Sequence, residues 1–254
     1  MADFRDRVYE RYVSTFKELA ALPGGRGFKA WCEENYLPLL AGLSADSRIL
    51  DLGCGSGELL AFLRGAGFGA ARGVDLSKEQ VAIAQANGLD ARVIDARDAL
   101  EETHSELSAV FAIDFVEHFS LEELFELLPQ VRASLRPGGR LILRTPNGGA
   151  PLGGHVIHGD LSHLTIFAPS SLRHMLRLTG FEDITIRECP PAHGTIGGRI
   201  RAPLWRMISV TIGLLHRIET GKKESIWTES MICACCKPNS TLGRSRDSAD
   251  HSVG

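Results

Sequence analysis

The residues best suited to bind a ligand lie in one short stretch near the start of the chain. Asp51 is followed by three glycines at alternate positions, Gly53, Gly55 and Gly57. Glycine adopts backbone angles that a Cβ atom forbids, and it lets a ligand approach the main chain closely. An apolar run rich in β-formers precedes this turn and an apolar helical pattern follows it, so free N–H groups of a helix would point at the same place. The stretch predicts a ligand-binding turn, although three glycines could also serve only to turn the chain.

A second acidic residue narrows the kind of ligand. Asp75 ends the next apolar run and is followed by Leu76. The glycine spacing does not fit the G-x-G-x-x-G of nicotinamide-binding turns, and no G-x-x-x-x-G-K-[ST] phosphate loop is present. Ligands of open parallel sheets bind at the carboxyl ends of the strands. We therefore expect Asp51 and Asp75 to lie at one crevice together with the glycine turn.

Three further residues could move a proton. His118 follows the fourth predicted strand, and Asp160 and His163 lie in a loop after the fifth. An imidazole can act as a general base near neutral pH, and a carboxylate can orient it. We expect His118, and Asp160 paired with His163, to contact an acceptor or take its proton. The alternative for His118 is that it only bonds the backbone and shapes the pocket.

The same loop has a spacing that invites a metal interpretation. His155, His158, Asp160 and His163 form the pattern H-x-x-H-x-D-x-x-H. No helix or strand is predicted there to fix the ligand geometry, so we expect no metal ion, and histidines without a catalytic role would tie the loop together. The only cysteine cluster, at 233–236, lies in a predicted strand whose adjacent residues point to opposite faces. We expect no metal site there either.

These residues must be positioned by alternating strands and helices. Apolar β-type runs are predicted at 48–52, 71–75, 91–94, 107–115, 140–145, 183–188 and 226–236. Helical patterns lie between most of them, and capping boxes are predicted at Ser77 with Gln80 and at Ser120 with Glu123. Such alternation predicts right-handed βαβ units and a parallel sheet.

Several motifs together resemble the class I S-adenosylmethionine-dependent methyltransferases, over about residues 7–238. The D-x-G-x-G-x-G turn and the acidic end of the next strand are similar to motifs I and II of that family, and Asp95-Ala96 is similar to motif III. The stretch 114–118 is similar to the fourth motif, D-x-x-E-H, and 136–143 to the strand-five signature. The stretch 159–172 resembles a segment of a bacterial subgroup often associated with surface-glycan assembly.

The resemblance implies a doubly wound, Rossmann-like α/β fold with a seven-stranded sheet whose last strand is antiparallel. It divides the chain into an N-terminal helical cover (1–45), a methyltransferase domain (46–238) and a disordered tail (239–254). Helices over 4–22 and 28–43 would form the cover, either as a lid on the crevice or as a packing layer. The cofactor would be S-adenosyl-L-methionine, bound by Asp51, Gly53, Gly55, Gly57, Asp75, Leu76, Asp95, Ala96, Asp114 and Phe115.

Methyl transfer from a sulfonium is an in-line displacement that mainly requires alignment and the exclusion of water. We expect O-methylation of a sugar or lipid-linked glycan intermediate. One alternative is methylation of a small aromatic or quinone-like metabolite, which an apolar pocket would favour. The other is a non-catalytic cofactor-binding scaffold. The presence of Asp51, Asp75 and Asp95 together argues against it. A long helix at 200–218 could cover the acceptor pocket, or contact a membrane surface or a second copy in a homodimer.

Composition excludes other classes. The 254-residue chain has 44% apolar and 23% charged residues and a formal net charge of −3. Because the net charge is slightly negative and no basic run is present, the sequence does not predict a positively charged surface that would bind nucleic acid. The N-terminus shows no apolar signal-peptide core, and no apolar run is long enough to span a bilayer. We therefore expect a cytoplasmic protein with reduced cysteines and no transmembrane segment.

Overall fold

The computed structural model describes residues 26–191, 196–222 and 226–239. The helix predicted over 4–22 and the polar tail beyond residue 239 lie outside these ranges. The described part holds a seven-stranded sheet with the order β3-β2-β1-β4-β5-β7-β6, in which β7 runs antiparallel to both of its neighbours. The predicted fold class is confirmed. The strands are β1 Ile49–Leu52, β2 Ala71–Asp75, β3 Ala91–Val93, β4 Leu107–Ile113, β5 Leu135–Pro146, β6 Glu182–Glu188 and β7 Ser230–Cys236.

Helices flank the sheet on both faces, as the alternating pattern predicts. They are α1 Arg26–Asn35, α2 Glu58–Gly65, α3 Lys78–Ala86, α4 Ala96–Glu101, α5 Leu121–Ser134, α6 Gly154–His158, α7 Pro169–Leu178 and α8 Ile196–Thr220, with 3-10 turns at Leu37–Leu40 and Val116–His118. The capping box of Ser120 and Glu123 is confirmed. Ser77 caps α3 as predicted, but its own N–H donates to Asp75, so only half of that box forms.

The core lies on the two faces of β1 and β4. Val110 and Ala112 of β4 belong to one buried apolar cluster, whereas Ala109 and Phe111 belong to the other. This alternation follows from the two-residue period of a strand, which sends successive side chains to opposite faces. Apart from Asp51 and Ser108, both strands are therefore apolar, as is typical of strands covered on two faces.

The predicted helix over 28–43 is interrupted. α1 ends at Asn35 and a 3-10 turn with Pro38 in its first positions follows, because proline lacks the N–H that an α-helix interior needs. Tyr36 and Leu40 are buried as predicted. Tyr36 packs edge-on against Phe111 of β4, with ring centroids 5.6 Å apart, and so fixes α1 over the sheet.

The loop after β5 contains a short helix that the sequence did not predict, α6. The loop is joined to the end of β4 by the backbone, because the Glu117 carbonyl accepts hydrogen bonds from the N–H groups of Leu164 at 2.8 Å and Thr165 at 3.1 Å. Residues 117–118 and 160–165 are therefore held side by side.

The α8 helix exposes most of its apolar side chains. Its inner face presents Gly198 and Ala202 to the fold, with Trp205 half-buried. The exposed apolar side chains are Ile196, Ile200, Leu204, Met207, Ile208, Val210, Leu214, Leu215 and Ile218. No helix among the described residues is long and apolar enough to cross a membrane.

Candidate active site

The glycine turn after β1 has the backbone form that only glycine adopts readily. Gly53, Gly55 and Gly57 have φ angles of +71°, +54° and +86°. A Cβ atom on Gly53 would come within 2.7 Å of the Phe115 ring, and one on Gly55 within 2.6 Å of the Gln80 side-chain oxygen. The turn therefore keeps a cradle free of side chains at the carboxyl end of β1.

Asp75 holds this turn in place. One carboxylate oxygen accepts a hydrogen bond from the Gly55 N–H at 2.9 Å, and the other accepts one from the Ser77 N–H at 2.8 Å. The neighbouring carboxyl of Asp51 is almost fully buried, and this burial, together with the charge of Asp75, raises its pKa well above the ordinary value. Each oxygen of Asp75 has a second lone pair with which it could accept a ligand hydroxyl.

The remaining predicted cofactor residues lie around the same sheet edge. Asp95 follows β3 and caps α4 by accepting from the Arg97 N–H at 2.8 Å. Leu76 is 53% exposed after β2, and Ala96 is half-buried at the start of α4. These residues therefore lie at the carboxyl ends of the neighbouring strands β2 and β3, next to the glycine turn after β1. The glycine turn and the Asp75 carboxylate, which can accept ligand hydroxyls, fit S-adenosylmethionine.

Cys54, at the centre of the turn, is structural, as its position suggested. The side chain is buried under the turn, and burial raises the pKa of its thiol far above the ordinary value. A thiol of this kind stays protonated at neutral pH and is a poor nucleophile.

The end of β4 is fixed by a charged pair that the sequence did not reveal. Asp114 has a φ angle of +49°, and both of its oxygens accept from Arg144 at the end of β5, one of them at 2.9 Å from Nε. Pairing with Asp114 keeps Arg144 charged and raises its pKa, although burial opposes the charge. Phe115 follows, and its ring lies against Phe119 with centroids 4.9 Å apart.

His118 is held by Ser162 and Asp160. The Ser162 hydroxyl donates to Asp160 Oδ1 at 2.5 Å and lies 2.9 Å from His118 Nδ1. A hydroxyl has one proton, and Ser162 uses it in the hydrogen bond that it donates to the Asp160 carboxylate. The Ser162 oxygen must therefore accept a hydrogen bond from His118 Nδ1–H. This assigns the Nδ1–H tautomer and leaves the lone pair of His118 on Nε2.

The ring of His118 favours its neutral form. Burial lowers the pKa of His118, and nearby His163 lowers it further. The two rings meet edge to face, with centroids 5.0 Å apart. A neutral imidazole can accept a proton or bind a cation through its unprotonated nitrogen.

The histidine-rich loop is divided by its fold. Nδ1 of His163 lies 3.4 Å from the Ile157 carbonyl oxygen, inside the site. His155 is exposed beside Glu229, and His158 is exposed at the end of α6. The contacts described for Asp160 run to Ser162, and its pairing with His163 stays a prediction. The sequence showed Ser162 only as a departure from the subgroup's usual threonine.

A cavity of about 450 Å³ lies beside the Asp114–Arg144 pair. Its walls combine aromatic and small apolar residues with two arginines. They are Gly27, Phe28, Trp31, Arg144, Cys189, Pro191, Gly197, Gly198 and Arg201. The lining contains none of the glycine-turn residues, and Arg144 of β5 contributes to it.

Comparison with known proteins supports the motif interpretation. A family model described as "Methyltransferase domain" matches residues 25–186. A 27-O-demethylrifamycin SV methyltransferase from Amycolatopsis mediterranei (strain S699) is 33% identical over 114 residues, which are 42% of this chain and 40% of that protein. A tRNA U34 carboxymethyltransferase from Geobacter sp. (strain M21) is 36% identical over 123 residues, 45% of this chain and 36% of that protein.

A solved structure extends the likeness to most of the chain. A SAM-dependent methyltransferase from Archaeoglobus fulgidus superimposes with a TM-score of 0.64 at 24% identity and covers 84% of this chain and 95% of its own. At that identity the likeness shows the fold. The chain spans no more than 40% of the length of the two curated relatives, and their names give unrelated acceptors.

Proposed function

We propose that this chain, which belongs to the methyltransferase-domain family, transfers a methyl group from S-adenosylmethionine to a hydroxyl oxygen of a sugar or glycan intermediate. The bound cofactor would supply an electrophilic methyl group. The chain's own residues hold it, because the glycine turn leaves its cradle open and Asp75 can accept the ribose hydroxyls. The Asp114–Arg144 pair fixes the end of β4, next to the transfer position.

The observation that favours an oxygen acceptor is the half-buried pair of imidazole rings of His118 and His163, whose centroids lie 5.0 Å apart. When a hydroxyl oxygen forms its bond to the methyl carbon, the sulfur keeps the electron pair of the broken bond and the hydroxyl must lose its proton. The neutral imidazole of His118 can promote that loss, whereas an alkene acceptor would have no hydroxyl proton to lose. Ser162 and Asp160 hold the His118 ring in the tautomer that presents Nε2.

The cavity beside Arg144 supports an acceptor that combines an apolar face with a negative charge. Trp31 and Phe28 give flat surfaces on which a sugar ring can stack, and Arg201 reaches the wall from α8. Guanidinium groups bind phosphate or carboxylate oxygens in a planar, bidentate way. A sugar that carries a phosphate would meet both requirements, and the volume suits a small ligand.

One observation favours a second acceptor class. Apart from its arginines, the cavity is walled by apolar or small side chains, including Phe28, Trp31 and Pro191. A phenol of a small aromatic or quinone-like metabolite would fit such walls and would lose its proton more readily than a sugar hydroxyl. This class is the alternative within the same chemistry.

We extend the proposal to a membrane-surface contact through α8. Four arginines and a single glutamate lie in this helix, whereas the whole chain has a net charge of −3. An apolar face flanked by arginines is typical of helices that lie in the interface of an anionic bilayer. Since Gly197, Gly198 and Arg201 also line the cavity, such a contact would place the cavity near lipid-linked acceptors.

The proposal is tested by a mass-spectrometric search for a 14 Da gain. Extracts that contain surface-glycan precursors, and separately small phenols, would be incubated with S-adenosylmethionine and either the wild-type protein or Asp75→Ala. A gain on a glycan precursor that the variant fails to produce supports the first class, and a gain on a phenol selects the second. Methylation of a nitrogen or carbon atom would contradict the oxygen chemistry.

A further inference from the structure

Three side chains that could bind a cation converge where the loop after β5 meets the end of β4. A carboxylate oxygen of Glu117 and one ring nitrogen each of His118 and His163 all lie within 4.8 Å of one another. The sequence pointed to His118 and His163 separately but did not predict that they meet Glu117, because 44 residues separate His118 from Ser162 in the loop. The backbone bonds from Leu164 and Thr165 to the Glu117 carbonyl bring the two segments together.

Glu117 has an oxygen that lacks a partner. The residue is fully buried, and its Oε2 accepts from the Thr145 hydroxyl at 3.1 Å. Within the described residues, its other oxygen, Oε1, has no hydrogen-bond partner. A buried polar atom left without a partner costs about 1–3 kcal/mol, and more when it is charged. Protonation of the carboxyl would not remove this cost, because an O–H at Oε1 would also lack an acceptor.

Both histidines have the ring arrangement that metal ligands usually have. Metal-bound histidines generally donate their second ring N–H to a carboxylate, a carbonyl or a similar acceptor, which fixes the ring. His118 does so through Ser162 and Asp160, and Nδ1 of His163 lies 3.4 Å from the Ile157 carbonyl. In both rings Nδ1 therefore has an acceptor of the kind that holds a metal-bound imidazole in place.

From these observations we infer that Glu117, His118 and His163 bind a divalent transition-metal cation. Two imidazoles and one carboxylate form a mixed nitrogen and oxygen set that suits Mn²⁺, Fe²⁺, Co²⁺ or Zn²⁺ better than Mg²⁺ or Ca²⁺. Bonds of about 2.0–2.2 Å to such an ion require ligand atoms somewhat closer together than 4.8 Å, so small side-chain movements complete the site. Three protein ligands leave positions open for oxygens of an acceptor.

The role of the cation rests on the proposed function. A hydroxyl bound to a divalent cation loses its proton more easily, as bound water does. Two open positions would take the adjacent oxygens of a diol or a catechol, so the acceptor class is one with neighbouring hydroxyl groups. With the cation bound, the histidines would act as its ligands in place of the base role proposed above, and the acceptor proton would pass to solvent water.

The test measures metal binding without turnover. The full-length protein is stripped with EDTA, desalted and titrated with MnCl₂ while the electron paramagnetic resonance signal of free Mn²⁺ is followed. CoCl₂ in a parallel experiment reports the ligand field through visible absorption. We expect one ion per chain, with binding weakened at least tenfold in Glu117→Gln and in His163→Ala. The matched control, His155→Ala, removes an exposed histidine of the same loop and should bind Mn²⁺ normally.

Each outcome of this experiment either supports or overturns the proposed cation site. Absence of Mn²⁺ and Co²⁺ binding at millimolar concentration in folded wild type overturns the site, as does equal weakening in His155→Ala and His163→Ala. If Glu117→Gln fails to fold by circular dichroism, His163→Gln supplies the same comparison. Calorimetry with S-adenosylmethionine is run on the same samples. Normal cofactor affinity without metal binding overturns the cation site and leaves the proposed function standing. Metal binding without cofactor affinity supports the cation site and contradicts the proposed function.

Discussion

The Ser162 hydroxyl lies 2.9 Å from His118 Nδ1 and donates its only proton to Asp160, which fixes His118 in the Nδ1–H tautomer. Asp160 thus acts on the ring of His118 through a serine. The sequence pattern pointed instead to a direct pair of Asp160 with His163. The link explains how a residue of a glycine-rich loop can set the chemistry at the end of β4.

This link makes Ser162 a positioning residue. Ser162→Ala should lower kcat about tenfold or more, because a hydrogen bond to a charged or polarised group contributes about 1.5–3 kcal/mol. Affinity for S-adenosylmethionine should stay unchanged, and Ser162→Thr, which keeps a hydroxyl, should restore the rate. The ¹⁵N chemical shifts of His118 report the tautomer directly. Wild-type shifts typical of an Nε2–H ring would contradict the assignment.

The same link predicts non-additive effects on turnover. Asp160→Asn and His118→Ala should each lower kcat strongly, and the double variant should lose little more than the worse single variant, as residues of one unit do. His163→Ala combined with Asp160→Asn tests the direct pair in the same way. Additive losses in both cycles would show that Asp160 acts independently of either ring.

Asp75 should be essential for cofactor binding. Asp75→Ala removes the oxygens that could accept ribose hydroxyls, and each hydrogen bond to a charged group contributes about 1.5–3 kcal/mol. Isothermal calorimetry should show affinity for S-adenosylmethionine reduced at least tenfold. It should also show normal affinity in Asp90→Ala, which removes an exposed aspartate at the amino end of β3, away from the glycine turn. NADH binding to the wild type would contradict the family's cofactor assignment here.

Gly55 should be sensitive to a single methyl group. With its φ of +54°, alanine costs about 1–2 kcal/mol in the left-handed region, so Gly55→Ala should lower the melting temperature by a few degrees. Its Cβ would also press on Gln80 at the rim of the cradle, and S-adenosylmethionine binding should be lost. Gly69→Ala is the control, because no atom lies within 4 Å of its added Cβ and its φ is not positive. A Gly55→Ala protein that binds the cofactor normally would show that this glycine serves the turn alone.

The outward face of α8 predicts binding to anionic vesicles. Wild type should sediment with vesicles of phosphatidylglycerol and phosphatidylcholine but not with phosphatidylcholine alone, and Leu214→Glu should abolish this. Leu178→Glu places the same charge on another exposed leucine, at the end of α7, and should sediment like the wild type. Light scattering tests the alternative that this face binds a second copy of the chain. If the wild type is a dimer that does not bind vesicles, and Leu214→Glu dissociates it, the face belongs to a dimer interface.

The sequence alone determined the cofactor side of this protein. The glycine turn and the capped helices depend on backbone angles and on contacts between near neighbours, so their spacing in the chain is also their geometry. The parallel part of the sheet followed as well, because strands that alternate with helices form βαβ units, and Asp75 meets Gly55 because β2 lies beside β1. The boundaries shifted by a few residues, most clearly where Pro38 interrupts the predicted helix after residue 28.

Only the tertiary structure decided the acceptor side. Arg144 meets Asp114 because β5 lies beside β4, and Glu117 and His118 meet His163 because a loop with no periodicity folds back onto the end of β4. An apolar pattern also shows that α8 has an apolar face but not which way that face points. Such contacts join residues far apart in sequence, and their free energy comes from packing and hydrogen bonds that no local spacing encodes.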